Sequence, residues 1–284
     1  MIIIADGGST KTSWCIITDY NKKFFLETIG YNPLFIKEKD IIESLHKNLY
    51  INSDDRNKIS CVYYYGAGAN YKNQKIILKN ALQNYFTKSK IIINHDLLGA
   101  AYALLGNNKG FVSILGTGTN TCIYNGTEIT YNIDSLGYFF GDEGSGSYLG
   151  KKLLKDYMRN LMPRELSNIF YQTYKLKSND IINILSKNKL NNVFLAQFSK
   201  FLNINNWSSY THNIIKSSFK DFFKNIVSQY NDYSCYNFNC VGSIGYIYKD
   251  ILCEVSLDYN MKPDKIIKSP IKNLVDYHID NITN

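Results

Sequence analysis

The sequence has no CxxC pair and no Cys/His cluster, so neither structural zinc nor an ordinary iron–sulfur ligand set is supported. Its six cysteines, Cys15, Cys61, Cys122, Cys235, Cys240 and Cys253, are scattered. Several sit inside apolar runs such as Trp14-Cys15-Ile16-Ile17, as buried free thiols of a reducing cytoplasm do. The four histidines, His46, His95, His212 and His278, do not group, and none is assigned a catalytic role. A long basic tract is also missing. Although the formal charge is +8, the lysines stand singly or in pairs, as at Lys22-Lys23 and Lys151-Lys152, among Asp, Asn and Tyr. That distribution argues against nucleic acid and for a solvated, mildly basic surface. The opening run, Met1-Ile2-Ile3-Ile4-Ala5, is cut by Asp6, too short for a signal peptide or a spanning helix. It reads as a first strand, and the expectation is a cytoplasmic protein without membrane association.

What is present suits two moderate cores: the chain has 284 residues and is 45% hydrophobic. The first strands fall at Ile2 to Ala5, Ser13 to Thr18 and Phe24 to Thr28, separated by turn formers at Asp6 to Thr12 and Asp19 to Lys23. Short turns between consecutive strands make antiparallel hairpins. A helix from about Asp40 to Tyr50, a strand from Ile59 to Tyr65, a helix from Ile76 to Phe86 and a strand from Ile91 to Asn94 complete a mixed α/β sheet. The pattern then restarts. Phe111 to Leu115, Thr121 to Tyr124 and Glu128 to Tyr131 read as strands, the last two joined by Asn125-Gly126, a strong hairpin signal. Helical stretches run from Gly146 to about Tyr230, followed by a strand at Phe238 to Val241, a helix after Gly245, a strand near Ile266 and a closing helix from Ile271. Each half opens with an apolar strand, a Gly/Thr-rich turn and a second strand, as an internal duplication would. Two lobes joined at about Leu97 to Gly110 with a cleft between them are expected.

The turn Asp6-Gly7-Gly8-Ser9-Thr10-Lys11-Thr12 has the composition of a phosphate cradle. Glycines let backbone N–H groups approach anionic oxygens, hydroxyls add donors, and an adjacent carboxylate can hold hydrated Mg²⁺. The Gly-Lys-Ser/Thr ending of a Walker A loop is missing. Standing alone, the segment would read better as an ordinary hairpin turn; its repetition as Leu115-Gly116-Thr117-Gly118-Thr119-Asn120 at the matching place of the second half favours the cradle. Asp96 ends the strand Ile91-Ile92-Ile93-Asn94 and precedes a helix from Leu97 to Leu105, where it can face a ligand, cap the helix or do both. Gly141-Asp142-Glu143-Gly144-Ser145-Gly146 follows an aromatic run, Gly137-Tyr138-Phe139-Phe140, and suits a loop that binds vicinal sugar hydroxyls; it lacks the alternating ligands of a calcium loop. Cys240-Val241-Gly242-Ser243-Ile244-Gly245 is a strand-to-helix turn that can lie flat on an adenine ring or serve as a plain connection.

In order and spacing this set, together with Tyr31-Asn32-Pro33, resembles the N-acetylglucosamine kinase and BadF/BadG/BcrA/BcrD ATPase family of the actin, Hsp70 and sugar-kinase superfamily, over essentially the whole chain, and in particular the compact N-acetylglucosamine kinases assigned in Bacteroidetes. The resemblance implies a two-domain actin-like fold of the ribonuclease H type, with residues 1–98 plus 271–284 in one lobe and 99–270 in the other. It implies ATP and Mg²⁺ as cofactors and an amino sugar as substrate. On it, Asp6 would hold Mg²⁺ through water, and Gly7, Gly8, Ser9, Thr10 and Lys11 would border the β- and γ-phosphates. Gly116, Thr117 and Gly118 would cradle phosphate from the second half, and Gly242 and Ser243 would line the adenosine pocket. Asn32, Thr119, Asn120, Gly137 and Asp142 would contact the sugar, and Asp96 would accept the proton of its 6-hydroxyl. A homodimer is implied by relatives alone. The chain differs in carrying Thr119 where relatives often have Ser, and Ser243-Ile244-Gly245 where many are richer in glycine.

Two other readings share the superfamily. An ATPase activator of a 2-hydroxyacyl-CoA dehydratase would bridge an iron–sulfur cluster with a cysteine pair near the domain junction; here Cys61 and Cys122 fall inside strands, without a glycine-rich cysteine motif. A non-catalytic sugar or nucleotide sensor would have little use for Asp6, Asp96 and Asp142 together.

Overall fold

Alternation of apolar runs with turn formers produces two mixed sheets. The structure, a computed structural model, describes residues 1–18, 22–186 and 191–282. The expected turn residues Asp19, Tyr20 and Asn21, residues 187–190 of the helical stretch and 283–284 of the closing helix lie outside them. The chain divides into two units, one of Met1–Gly110, Tyr124–Thr130 and Ser269–Asn284, the other of Phe111–Ile123 and Tyr131–Lys268.

The first unit contains β1 (Ile2–Gly7), β2 (Lys11–Ile17), β3 (Lys23–Ile29), α1 (Glu38–Asn48), α2 (Ser53–Asn57), β4 (Cys61–Gly66), α3 (Lys72–Tyr85), β5 (Lys90–His95) and α4 (Asp96–Leu105). Its sheet runs β3-β2-β1-β4-β5, with β1 antiparallel to β2 and parallel to β4, and β4 parallel to β5. α2 has no counterpart among the expected helices because none of its residues is buried, so it carries no apolar periodicity; the Asn52 side chain, accepting from Asp55 N, starts it.

The second sheet is made of β6 (Gly110–Leu115), β7 (Thr119–Tyr124), β8 (Ile129–Tyr131), β9 (Phe238–Val241) and β10 (Pro263–Ile267), in the order β10-β9-β6-β7-β8. Numbered within its own half, each sheet has the order third, second, first, fourth, fifth. The repeat read from two similar hairpins therefore extends to five strands. Among the described residues the α-helices that follow β8 and precede or flank the last strands are α5 (Gly137–Phe140), α6 (Gly146–Met158), α7 (Arg164–Tyr174), α8 (Ser178–Ser186), α9 (Asn192–Ala196), α10 (Ser199–Ile204), α11 (Ser209–Asn225), α12 (Ser243–Ile247) and α13 (Lys249–Asp258). α14 (Ile271–Ile282) then returns to the first unit, packing on α4, β1 and β2. Among the described residues no helix is long and apolar enough to cross a membrane.

Two elements depart from expectation. The aromatic run, to which the sequence assigned no element, forms a single helical turn, α5; Leu136 before it and Gly137 at its start are left-handed, and Phe139 and Phe140 are 70% and 78% exposed. α12 starts at Ser243, ahead of the expected start beyond Gly245, because Gly242 already breaks from the strand with φ 133°.

The core of the first unit lies on the α1/α3 side of its sheet, around Trp14, Tyr31, Tyr64 and Phe86; the second is built on Phe111, Phe170, Phe219, Phe222 and Phe238. The opposite face of the first sheet is covered by α4 and α14. There Tyr102 and Tyr277 stack at 4.2 Å, and the Tyr65 hydroxyl lies 2.8 Å from His278 Nε2. Burial pulls the His278 pKa from 6.5 down to about 4. The unfolded chain therefore binds a proton that the folded chain refuses, and the contribution of the neutral ring is complete above pH 6.5 and lost as the pH falls towards 4. Between those limits the wild type should lose about 3 kcal/mol more than His278→Gln does. Urea unfolding of both proteins across this range checks it, and parallel stability curves would contradict it.

Candidate functional site

In the first unit the parallel strands deliver their carboxyl ends together. Gly7 of β1 is level with Gly66 of β4, and Gly66 with His95 of β5, so Asp6 and Asp96 stand at the same sheet edge. Asp96 is the first residue of α4, and His95, not Asp96, is the N-cap; Asp96 Oδ1 accepts from the N–H of Leu97 at 2.9 Å. Burial lifts the Asp6 carboxyl to about 7, with the Asp96 charge adding to the rise and Lys11 opposing it. Burial likewise lifts Asp96 to about 6, against hydrogen bonds from the backbone N–H groups of Leu97 and Asp96. Two carboxyls with raised pKa values thus stand at one edge of the sheet, as ionisable groups of functional sites often do.

The first turn is held from several sides. Gly8 N donates to Lys11 O (2.8 Å), Gly30 N to Thr10 O (3.0 Å) and Ala67 N to Gly7 O (2.7 Å). Asn32 is buried and donates through Nδ2 to Ser9 Oγ at 2.9 Å, while its Oδ1 accepts from Leu34 N at 3.1 Å. A Cβ on Gly30 would stand 2.4 Å from the Ser9 carbonyl, so the chain crosses the turn only because this residue has none. Lys11 forms an ion pair with Glu27 on β3.

In the second unit three motifs far apart in the chain meet at Gly116. The first two N–H groups of α6, those of Gly146 and Ser147, donate to Gly116 O (2.8 Å) and Thr117 O (3.0 Å). Asp142 is left-handed at φ 59° and buried; its Oδ1 accepts from Thr119 N at 3.0 Å. Thr119 Oγ1 donates to Glu143 O at 2.6 Å. A Cβ on Gly118 would lie 3.0 Å from Asp142 Oδ2, and one on Gly242 2.3 Å from Leu115 O. Burial raises Asp142 to about 6, opposed by hydrogen bonds from Thr119 N, Ser135 and Ser147 and by the charge of Lys151. Lys151 Nζ also donates to Tyr138 O at 2.9 Å, tying α6 to the α5 turn.

Of the residues selected from the sequence, the first unit thus brings together Asp6, Gly7, Gly8, Ser9, Thr10, Lys11, Asn32 and Asp96. The second brings together Gly116, Thr117, Gly118, Thr119, Asp142 and Gly242. Asn120 is turned to Asn132, whose Nδ2 donates to its Oδ1 at 3.0 Å; Gly137 opens α5 and Ser243 is exposed at the start of α12. Sequence reasoning gave no role of their own to Lys151, Tyr64, Gly30 or Thr12, the last of which it quoted only as the end of the first turn. Tyr64 shares a strand face with Gly66, which period-two alternation would have revealed, but the register that brings Gly7 and Thr12 beside it is absent from the sequence. The three-residue set of His, Cys, Asp or Glu needed for an all-protein metal cage is absent among the described residues.

No family profile matches the sequence. A candidate N-acetylglucosamine kinase from Porphyromonas gingivalis, known from its crystal structure, superposes with a TM-score of 0.91 at 34% identity, covering 99% of this chain and 100% of that one. The N-acetylmuramic acid/N-acetylglucosamine kinase of Clostridium acetobutylicum is 25% identical over 214 residues, 71% of this chain and 69% of that protein. A ROK family glucokinase from Streptomyces griseus shares the fold at a TM-score of 0.57 and 11% identity, with 97% of each chain covered.

Proposed function

We propose that this chain, which belongs to the N-acetylglucosamine kinase family of the actin-like ATPase superfamily, is an ATP-dependent amino-sugar kinase that transfers the γ-phosphoryl group to the 6-hydroxyl of an N-acetylhexosamine, N-acetylglucosamine first. The observation that carries the reading is the pair Asp6 and Asp96 at the carboxyl edge of parallel strands, beside a glycine turn pinned by Gly30, Asn32 and Ala67. Two carboxyls of raised pKa invite one proton-accepting and one cation-holding role.

In this reading Asp96 accepts the proton of the sugar hydroxyl as that oxygen bonds to the γ-phosphorus; the bond from the γ-phosphorus to the β–γ bridging oxygen breaks, and ADP leaves. Gly7, Gly8, Ser9, Thr10 and Lys11 border the β- and γ-phosphates, and Gly116, Thr117 and Gly118 cradle phosphate from the second half. Gly242 and Ser243 line the adenosine pocket. Asn32, Thr119, Asn120, Gly137 and Asp142 hold the sugar. Positioning and charge neutralisation do most of the work in phosphoryl transfer. The donor set fits Mg²⁺: the ionised form of Asp6 is disfavoured by burial and by Asp96, a charge that a cation would offset, and a hydrated divalent cation that also touches phosphate needs only one or two carboxylate ligands. Asp6 would hold it through water, and when bound it would neutralise charge on the β- and γ-phosphates. The six free thiols suit a cytoplasmic enzyme.

A coupled assay of ADP release with N-acetylglucosamine, glucosamine, N-acetylmuramic acid and N-acetylmannosamine tests the proposal. Turnover with Mg·ATP should be fastest with an N-acetylated hexosamine, and phosphorus NMR should find the new ester on O6. The Clostridium relative keeps N-acetylmuramic acid as the second substrate to consider. Release of ADP that none of the four sugars accelerates would refute the kinase reading.

A further inference from the structure

Tyr64 and Thr12 lie beneath the first turn in an arrangement that the core does not require. Tyr64 and Gly66 share one face of β4; Gly66 is level with Gly7 on β1, and Gly7 with Thr12 on β2. The phenol occupies the space that side chains on the two glycines would take. A Cβ on Gly7 would stand 2.0 Å from the Tyr64 hydroxyl, and one on Gly66 2.3 Å from its Cε1. Both Tyr64 and Thr12 are fully buried and their hydroxyls neighbour each other, yet neither makes a well-formed hydrogen bond with a described residue. Phe and Val would fill the same volumes without stranding two polar groups, which is what a core selected for stability alone would contain. Buried polar groups left without partners concentrate where stability is given up for function.

We propose that Tyr64 and Thr12 are positioning residues of the first turn, forming a two-hydroxyl socket under Gly7 whose hydrogen bonds are completed by the turn's own backbone when it closes on the polyphosphate of a nucleoside triphosphate. The socket rests on the kinase reading for the identity of that ligand. Each hydroxyl can donate and accept, so the pair can bond to each other and still reach one backbone group. Gly7 O accepts from Ala67 N, and a carbonyl oxygen carries a second lone pair. Neither side chain touches the nucleotide; both act through the turn.

The experiment compares the wild type with Tyr64→Phe, Thr12→Val and Thr12→Ser. Melting temperature is measured without nucleotide and with Mg²⁺ and a non-hydrolysable ATP analogue, and KM is measured for ATP and for the sugar. Without nucleotide, Tyr64→Phe and Thr12→Val should melt at or above the wild type. Their nucleotide-induced rise should shrink, and KM for ATP should increase about tenfold, the worth of one buried hydrogen bond. KM for the sugar should stay the same, and Thr12→Ser should restore the wild-type response. If Tyr64→Phe and Thr12→Val melt below the wild type without nucleotide, the hydroxyls are structural and the proposal is overturned. An equal nucleotide-induced rise in all four proteins overturns it too, while leaving the kinase reading intact. No rise in the wild type would remove both.

Discussion

Asp96→Asn should lower kcat for sugar phosphorylation by about 10²–10⁴-fold, the range over which a positioned general base contributes. The substitution keeps the volume and one acceptor oxygen, so the bond from Leu97 N to Asp96 Oδ1 at the start of α4 can persist and the fold should be undisturbed. KM for ATP should change little. The pH profile adds a second reading of the same residue. Burial holds Asp96 at about 6, and the base works only when ionised, so wild-type kcat should rise with pH through that value and level off above it. In the Asn variant the residual rate should lose that step. Matched melting curves would establish that the variant is folded, and turnover within tenfold of wild type in such a protein would remove Asp96 from the role of base.

Gly242→Ala should be a severely damaging single methyl group in the second unit's site. Gly242 has φ 133° and ψ 156°, a backbone region that residues with a side chain rarely enter, and the added carbon would stand 2.3 Å from Leu115 O and 2.6 Å from Leu115 C. Both contacts are backbone, so neither can rotate away. Strain and overpacking together should cost about 3 kcal/mol or more. The damage should spread to nucleotide affinity, because the carbonyl that must move belongs to the residue before Gly116, where the three motifs meet. Gly116→Ala is the contrasting substitution: nothing lies within 4 Å of the added carbon, and its effect on stability should be under about 1 kcal/mol. Denaturant unfolding of the two variants decides the matter, since equal losses would mean that the close approach at Gly242 is not what the sequence protects.

The sheets were legible because each strand is an apolar run bounded by Gly, Asn, Asp or Ser, and a short turn between two such runs leaves little choice of pairing. The positions of the two glycine turns and of Asp96 at strand ends were legible for a related reason, since such ends are marked by residues that a strand itself does not favour. What joins those segments was not. Nothing local says that Gly146 N–H will meet Gly116 O, or that Asp142 will bond Thr119 N in addition to any sugar; these depend on register and on where a helix starts. The exposure of Phe139 and Phe140 has no local signal either: a helical turn opened by left-handed Leu136 and Gly137 turns both rings outward. α2 was invisible because a short helix held by an Asn cap has no apolar stripe to announce it. Asn32 was singled out only by the family resemblance, and its bond to Ser9 ties it to the turn in a way that only the folded chain reveals.

The return of α14 to α4, β1 and β2 has a bearing on how the protein is made. A ribosome delivers the first sheet early, yet the helix that shields Tyr65 and stacks Tyr277 on Tyr102 is translated only after the whole second unit. During that interval an aromatic surface waits for its cover, while a nascent chain of this kind is at its most prone to stray association. Completion of the first unit is thereby tied to prior synthesis of the second, and chaperone occupancy should concentrate in the time between the two events.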